Sequence, residues 1–182
     1  MSLPNLITLA RLLSVPIIVW LVLTDALTAA LVLFALAGLS DAVDGFIAKR
    51  FDQESILGAM LDPIADKAML VSLFVTLGLA HHLPAWIVIL VVFRDAMIVG
   101  GFLFWTALGQ QHIRPDPLII SKINTAAQIG LILVTLGKLA FGIDDYSLGL
   151  ALTYIVGATT LLSGAAYLVR WARSLARAEI SP

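Results

Sequence analysis

The sequence of 182 residues contains no cysteine. Disulfide bonds and thiolate metal ligands are therefore excluded. Charged residues are also scarce, at 13% of the chain, whereas a typical soluble domain has roughly 25%. Hydrophobic residues make up 60% of the chain, and its mean hydropathy is +1.02. This composition is typical of a protein embedded in lipid, and we expect membrane lipids and no nucleic acid among its partners.

Apolar segments long enough to cross a hydrocarbon core of about 30 Å recur about six times. We predict helices, because lipid offers no water to satisfy backbone groups and the segments are too long for barrel strands. The chain is therefore expected to form one all-α, polytopic membrane domain over residues 1–182, with no cleavable signal before the first segment. The expected segments are about 5–23, 28–50, 55–80, 84–108, 118–140 and 146–171.

Lysine and arginine are distributed unevenly between the ends of these segments. If the N-terminus is cytoplasmic, most of them fall at or near cytoplasmic ends, while Lys138 falls near an outer end and Arg94 lies mid-segment. The positive-inside rule then predicts a protein of the cytoplasmic (inner) membrane with both termini in the cytoplasm. The cytoplasmic set is Arg11, Lys49, Arg50, Lys67, Arg114, Lys122, Arg170, Arg173 and Arg177.

Four aspartates occur in the second and third segments, within "SDAVDGFIAKRFDQESILGAMLDPIADK". Asp41 and Asp44 share a helix face, because residues three or four apart lie together. Gly58, Asp62 and Asp66 form one stripe on the next segment for the same reason. A short loop would make the two helices antiparallel neighbours, so the four carboxylates are predicted to converge near the cytoplasmic side.

Ionised carboxylates in a membrane need opposite charge nearby, since each costs roughly 2.5 kcal/mol or more at the centre of a segment. Lys49, Arg50 and Lys67 are too few and too close to the interface to neutralise all four. Closely spaced hard oxygen ligands suit Mg²⁺ or Mn²⁺. Two such ions bridged by carboxylates are a recurring arrangement for phosphoryl transfer. We therefore expect a site for two divalent ions.

The spacing D-x2-D-G-x2-A, followed by G-x3-D-x3-D, resembles the signature of the CDP-alcohol phosphotransferases, integral membrane enzymes of phospholipid synthesis. The family usually has Arg directly after the Ala, where this chain has Lys49. The resemblance implies a CDP-activated lipid donor, an alcohol acceptor and CMP as the leaving group. The matching residues are Asp41, Asp44, Gly45, Ala48, Gly58, Asp62 and Asp66.

The resemblance also implies a role for each position. Asp41, Asp44 and Asp62 would hold the two ions, and Asp66 would both ligate one of them and act as the general base. The segment "PNLITLAR" near the N-terminus is similar to that of the family and adds to the donor site. The implied CDP-diacylglycerol-binding residues are Asn5, Thr8, Gly45, Ala48, Lys49 and Gly58.

The segment "ISKINTAAQ" is similar to one branch of the family, the eukaryotic-type cardiolipin synthases. The phosphatidylglycerophosphate synthases tend to carry Lys where this chain has Asn124. An amide suffices for the single diester charge of phosphatidylglycerol, whereas a second ammonium would favour glycerol 3-phosphate. We expect phosphatidylglycerol as the acceptor, with glycerol 3-phosphate as the alternative. The acceptor-binding residues are expected to be Arg94, Ser121, Lys122 and Asn124, with Lys122 and Asn124 facing the same cavity.

Arg94 has two interpretations. A guanidinium within a membrane segment needs a partner, and the neighbouring Asp95 is expected to point about 100° away around the helix. Arg94 therefore forms either a structural ion pair with another segment or, together with Ser121 and Lys122, a contact to a substrate phosphate.

The acidic residues within the membrane segments also allow a different class of protein, a transporter. Acidic residues inside membrane segments also occur in the ion relays of transporters. A transporter would favour discontinuous segments or two matched halves, and no such repeat is visible in the sequence. An ion-coupled transporter is therefore the remote alternative to the enzyme.

Members of the resembled family are often homodimers, so a homodimer is expected by analogy alone.

Overall fold

The computed structural model describes residues 3–51, 56–107, 118–143 and 146–178, and the side chains of residues 8–40, 67–101, 118–143 and 147–173. Every regular element in these ranges is a helix, as the sequence predicts. The expected bounds agree closely, except that the last helix continues several residues further, to Ala178. The helices are α1 (Leu3–Leu23), α2 (Leu27–Phe51), α3 (Ile56–Leu79), α4 (Ala85–Ala107), α5 (Ile119–Phe141) and α6 (Tyr146–Ala178).

Large apolar side chains cover much of the described surface. Leu13, Trp20 and Phe93 are each at least 60% exposed. So many exposed large apolar side chains fit contact with lipid. In the described part of the chain, two helical segments are long and apolar enough to cross a membrane, Ile119–Phe141 and Ser147–Arg173. Six crossings therefore stay a prediction.

The helices form a ring around a common apolar core. Contacts join them in the order α1, α2, α5, α6, α4, α3 and back to α1, and α3 also contacts α5. Each helix contributes at least one side chain that is at most 2% exposed, and this burial is the main favourable contribution to packing. These side chains include Ile18, Phe34, Phe74, Ile87, Leu131 and Val156. The ring places α3 beside α4, and α5 beside both α2 and α6.

The α1–α2 and α3–α4 connections reverse the chain within a few residues, each with one left-handed residue, and α5 ends at a left-handed glycine. Asp25, His81 and Gly142 have φ angles of 57°, 60° and 63°. After α3, the amide of His82 donates to the carbonyl oxygen of Leu77 at 2.8 Å. Such bonds satisfy carbonyl groups that the last helical turn leaves free. The tight turn makes α3 and α4 antiparallel neighbours.

Helices α4 and α6 are parallel and interlocked by two contacts between tryptophan and glycine. A Cβ atom on Gly157 of α6 would lie 2.9 Å from Cζ3 of Trp86 on α4. A Cβ atom on Gly101 of α4 would lie 2.1 Å from Cη2 of Trp171 on α6. Only glycine leaves enough room at either place. We call this pair of contacts the Trp–Gly contacts.

Candidate active site

The acidic motif lies on α2 and α3. The backbone is helical at Asp41 and Asp44 in α2 and at Asp62 and Asp66 in α3, so the predicted spacing along each helix is present. The carboxylate positions, and hence their predicted convergence, are outside the described residues. The side chains that lie outside them are those of Asn5, Asp41, Asp44, Gly45, Ala48, Lys49, Gly58, Asp62 and Asp66. The metal and CDP-diacylglycerol contacts of these residues stay predictions.

Thr8 has the one described side chain among the predicted donor-site residues. It is 3% exposed on α1. Helix α1 packs against both α2 and α3, the two helices that carry the acidic motif. Thr8 therefore belongs to a helix that borders both motif helices, and its contact with CDP-diacylglycerol stays a prediction.

An ion pair joins α3 to α4 directly after the motif. Lys67, the residue that follows Asp66, donates from Nζ to Oδ1 of Asp95 at 2.8 Å. Nη1 of Arg94 donates to the same oxygen at 2.6 Å. The Arg94 and Asp95 side chains are each 3% exposed, whereas that of Lys67 is 26% exposed. Two cations thus share one buried carboxylate.

The guanidinium of Arg94 also binds two further helices. Its Nη2 donates to Oγ of Ser121 on α5 at 2.6 Å and to Oγ of Ser163 on α6 at 2.5 Å. One polar cluster therefore connects α3, α4, α5 and α6. We call it the Arg94 cluster; it consists of Lys67, Arg94, Asp95, Ser121 and Ser163.

The prediction that Asp95 points away from Arg94 is wrong. Neighbouring Cβ atoms do diverge by about 100° around a helix. The guanidinium, however, lies at the end of a long flexible side chain, so it reaches the adjacent carboxylate. The expected ion pair of Arg94 with another segment is not present among the described side chains; the ion pair that joins two segments there is between Lys67 and Asp95.

The Arg94 cluster lies level with the first turn of α5, since Arg94 binds Ser121 near the start of that helix. Beyond the cluster, α4 continues to Ala107 and α6 to Ala178, which is roughly 20 Å further at 1.5 Å per residue. Leu118 provides no side-chain cap for α5. The first amide groups of α5 therefore add positive potential at this level.

Helix α5 places the predicted acceptor residues on different faces. Asn124 is 0% exposed, and its Oδ1 accepts hydrogen bonds from Thr159 at 2.9 Å and Thr160 at 2.8 Å. Lys122 is exposed. The prediction that Lys122 and Asn124 face one cavity is therefore wrong, because residues two apart lie about 200° apart on a helix. Of the predicted set, Arg94 and Ser121 are in direct contact.

Sequence reasoning missed Asp95 and Lys67 as partners. The signal was present, because a carboxylate in a membrane segment needs a cation. Gln128 was also missed; it is 0% exposed, and neither of its amide atoms has a hydrogen-bond partner within the part that the structure describes. Its position one turn after Asn124, on the buried face of α5, could have indicated it.

A cavity of about 190 Å³ lies at the other end of these helices. It is lined by residues of the α3–α4 connection, the end of α5 and the start of α6, including His82, Pro84, Thr135, Lys138 and Thr153. In the described residues, no three His, Asp or Glu side chains come together as metal ligands. The four motif aspartates are outside that set, and their all-carboxylate chemistry is what Mg²⁺ and Mn²⁺ prefer.

Comparison with known proteins identifies the family. The chain is 35% identical over 184 residues to "Cardiolipin synthase (CMP-forming) / mitochondrial hydrolase fusion protein" of Schizosaccharomyces pombe, with 92% of this chain and 31% of that protein covered. It is 33% identical over 184 residues to "Probable cardiolipin synthase (CMP-forming)" of Drosophila melanogaster, with 93% and 57% covered. It is 30% identical over 190 residues to "CDP-diacylglycerol--glycerol-3-phosphate 3-phosphatidyltransferase 1, chloroplastic" of Oryza sativa subsp. japonica, with 94% and 57% covered.

The chain therefore spans between about a third and somewhat over half of the length of these relatives. The family model for CDP-alcohol phosphatidyltransferases matches residues 1–169. That match includes α1 to α5, most of α6 and both halves of the acidic motif. The protein belongs to the CDP-alcohol phosphatidyltransferase family.

Proposed function

We propose that this protein is a cardiolipin synthase that transfers a phosphatidyl group from CDP-diacylglycerol to phosphatidylglycerol and releases CMP. A single observation carries the proposal: over nine-tenths of the chain aligns with relatives named cardiolipin synthase. In the reaction, a glycerol hydroxyl of the acceptor attacks the β-phosphorus of the donor. A phosphodiester bond forms, the bond to CMP breaks, and the hydroxyl proton passes to a base.

The protein would cross the cytoplasmic membrane six times, with both termini and the active site on the cytoplasmic side. The exposed apolar surface supports lipid contact, and the distribution of Lys and Arg supports the orientation. CDP-diacylglycerol has acyl chains in lipid and a nucleotide in water. Its diphosphate therefore lies near the depth of the motif on α2 and α3.

Asp41, Asp44 and Asp62 would hold two divalent ions, Mg²⁺ or Mn²⁺, and Asp66 would complete the coordination of one. A donor set of carboxylates alone fits these ions. When bound, the ions supply positive charge to the diphosphate and to departing CMP. Asp66 would accept the proton of the attacking hydroxyl, the role that the family assigns to its last aspartate.

The remaining motif residues would form the donor pocket. The small residues Gly45, Ala48 and Gly58 leave space for the cytidine end, and Lys49 neutralises phosphate oxygens. Asn5 and Thr8 extend the pocket along α1, which packs against both motif helices.

On the acceptor side, the geometry favours Lys122 over Arg94 as the cation for the phosphodiester of phosphatidylglycerol. Both Nη atoms of Arg94 already donate to side chains of the Arg94 cluster. Lys122 is exposed at the first turn of α5 and has no ion pair among the described residues. A long, mobile ammonium at that level suits a lipid headgroup.

The test uses purified protein with CDP-diacylglycerol and either phosphatidylglycerol or glycerol 3-phosphate, followed by identification of the lipid products. We expect cardiolipin and CMP from phosphatidylglycerol. The second candidate is a phosphatidylglycerophosphate synthase, which the rice relative at 30% identity favours. A preference for glycerol 3-phosphate would establish that candidate instead. Absence of CMP release with both acceptors would contradict a phosphatidyltransferase of either kind.

A further inference from the structure

We propose that Lys67, oriented by Asp95, binds a phosphate group of a substrate beside the acidic motif. This inference rests on the proposed function, because the phosphate belongs either to CDP-diacylglycerol or to the acceptor. The family motif ends at Asp66 and gives Lys67 no role.

The charged side chains of the Arg94 cluster are two cations and one anion. Lys67 and Arg94 contribute two positive charges, and Asp95 contributes one negative charge. No second carboxylate lies within ion-pair distance of either cation in the described part of the chain. Counted by themselves, these three side chains carry one net positive charge, which favours the approach of an anion. A phosphate group would balance the cluster.

Lys67 is the most exposed of the three charged side chains in the Arg94 cluster. A lysine ammonium has three donors, and the structure shows one hydrogen bond, to Oδ1 of Asp95. The Lys67 side chain is 26% exposed, whereas those of Arg94 and Asp95 are 3% exposed. Lys67 is thus the cation of the Arg94 cluster that an incoming phosphate group can contact.

Lys67 lies on α3 directly after the acidic motif. Lys67 follows the proposed general base, Asp66, and lies about 1.5 Å further along the helix axis. The side chains of neighbouring residues diverge by about 100° around a helix, but the four-carbon side chain of Lys67 is long and flexible enough to reach a phosphate beside the motif. Ser121 of the same cluster belongs to the first turn of α5. This turn has no side-chain cap, so its amide groups add positive potential.

Asp95 would act on the substrate only through Lys67, as a positioning residue. Its Oδ1 holds Nζ of Lys67 at 2.8 Å, and Arg94 fixes that same oxygen at 2.6 Å. Arg94 is in turn fixed by Ser121 and Ser163 on two other helices. The ammonium of Lys67 is therefore attached to a rigid support.

The test compares Lys67→Met with Lys67→Arg in purified protein. CMP release is measured while CDP-diacylglycerol and the acceptor are varied in turn. Loss of one charge-assisted hydrogen bond should raise KM about ten- to a hundred-fold, and Lys67→Arg should restore most of it. A rise in KM for CDP-diacylglycerol assigns the donor diphosphate, and a rise for phosphatidylglycerol assigns the acceptor phosphate. An unchanged KM for both would overturn the inference.

Two controls separate binding from structural support. Lys138→Met removes a half-buried lysine near the distant cavity and should leave both KM values unchanged. A purely structural Lys67 would behave differently: Lys67→Met would lower the unfolding temperature of the substrate-free protein and leave KM unchanged. We expect the reverse, because removing this cation leaves Arg94 and Asp95 as a balanced pair.

A measurement without turnover keeps the inference separate from the proposed function. The rise in unfolding temperature caused by added CDP-diacylglycerol or phosphatidylglycerol is recorded for wild type and Lys67→Met. We expect a smaller rise in the variant for one of the two lipids. If each lipid raised the unfolding temperature of Lys67→Met as much as that of the wild type, the inference would be overturned. A wild type that is stabilised but releases no CMP would overturn the proposed function alone.

Discussion

The two ends of the helix bundle are held together by different means. At the end that contains His81 and Gly142, which we call the turn end, short left-handed turns fix the helices through backbone hydrogen bonds. At the level of the Arg94 cluster, which we call the motif end, side chains with full charges join four helices. Backbone turns stabilise without burying charge. The motif end buries charge, and under our proposal it combines helix packing with the binding of a substrate phosphate.

Metal removal should have the largest effect, and only at the motif end. If the four carboxylates of the motif hold two divalent ions as proposed, excess chelator should abolish CMP release. Added Mg²⁺ or Mn²⁺ should restore it. Full activity after confirmed removal of metal would contradict the two-ion site and would favour the transporter alternative.

The second-largest effect is expected when Asp66 and Asp62 are replaced one at a time. Asp66→Asn should lower turnover about 10²- to 10⁴-fold, because it removes the proposed general base. Metal-dependent binding of CDP-diacylglycerol should largely survive. Asp62→Asn should lose both binding and turnover, since Asp62 is a proposed metal ligand. Identical behaviour of the two variants in both assays would show that ligand and base are not distinct.

Asn124→Lys tests the buried face of α5. From the sequence, this change is expected to favour glycerol 3-phosphate. The structure predicts a loss of stability instead, because the ammonium would occupy a position that is 0% exposed and whose amide oxygen accepts from Thr159 and Thr160. An uncompensated buried charge costs about 3–5 kcal/mol. Lys122→Asn on the exposed face is the control, and its free energy of unfolding should hardly change.

Arg94→Met should destabilise the protein somewhat less. The variant loses hydrogen bonds to Asp95, Ser121 and Ser163, while Lys67 still neutralises the carboxylate. The net loss should be about 1.5–3 kcal/mol, close to that of one hydrogen bond to a charged group, because the two serine hydroxyl groups can donate instead to backbone carbonyls of their own helices. Thermal unfolding in detergent measures the loss. Phe93→Ala, at a neighbouring position that is 66% exposed, serves as the control and should have a smaller effect.

The smallest effect is expected at the turn end. Gly142→Ala introduces a side chain at a φ angle of 63°, which costs roughly 1–2 kcal/mol. No atom lies within 4 Å of the added Cβ, so backbone strain is the main cause. The KM for CDP-diacylglycerol should be unchanged. A kinetic change as large as that of Lys67→Met would mean that the two ends are coupled.

The helix bounds could be predicted from the sequence because long apolar segments alternate with short polar breaks. The extra length of α6 was missed, since the prediction ended with the apolar segment, near residue 171. Arg173 and Arg177 are good helix formers, and a helix can continue into water without apolar residues.

The candidate site could be predicted only where its residues share a helix. The spacing of Asp41 and Asp44, or of Asp62 and Asp66, is set by the helical repeat. The contact between Lys67 and Asp95 depends instead on how α3 and α4 are rotated about their axes. Burial of apolar side chains along the whole bundle decides that rotation, so no local spacing encodes it. Lys122 and Asn124 were placed together wrongly for a local reason, since residues two apart on one helix lie about 200° apart.

The Trp–Gly contacts have a consequence for how this sequence can change over evolutionary time. Trp171 fills the space that glycine leaves at position 101, and Trp86 does so at position 157. A larger residue at either glycine can be accommodated only after the facing tryptophan becomes smaller. Substitutions at 101 and 171, and at 157 and 86, should therefore be correlated among homologous sequences. Such covariation would record the parallel packing of α4 and α6 without any structure.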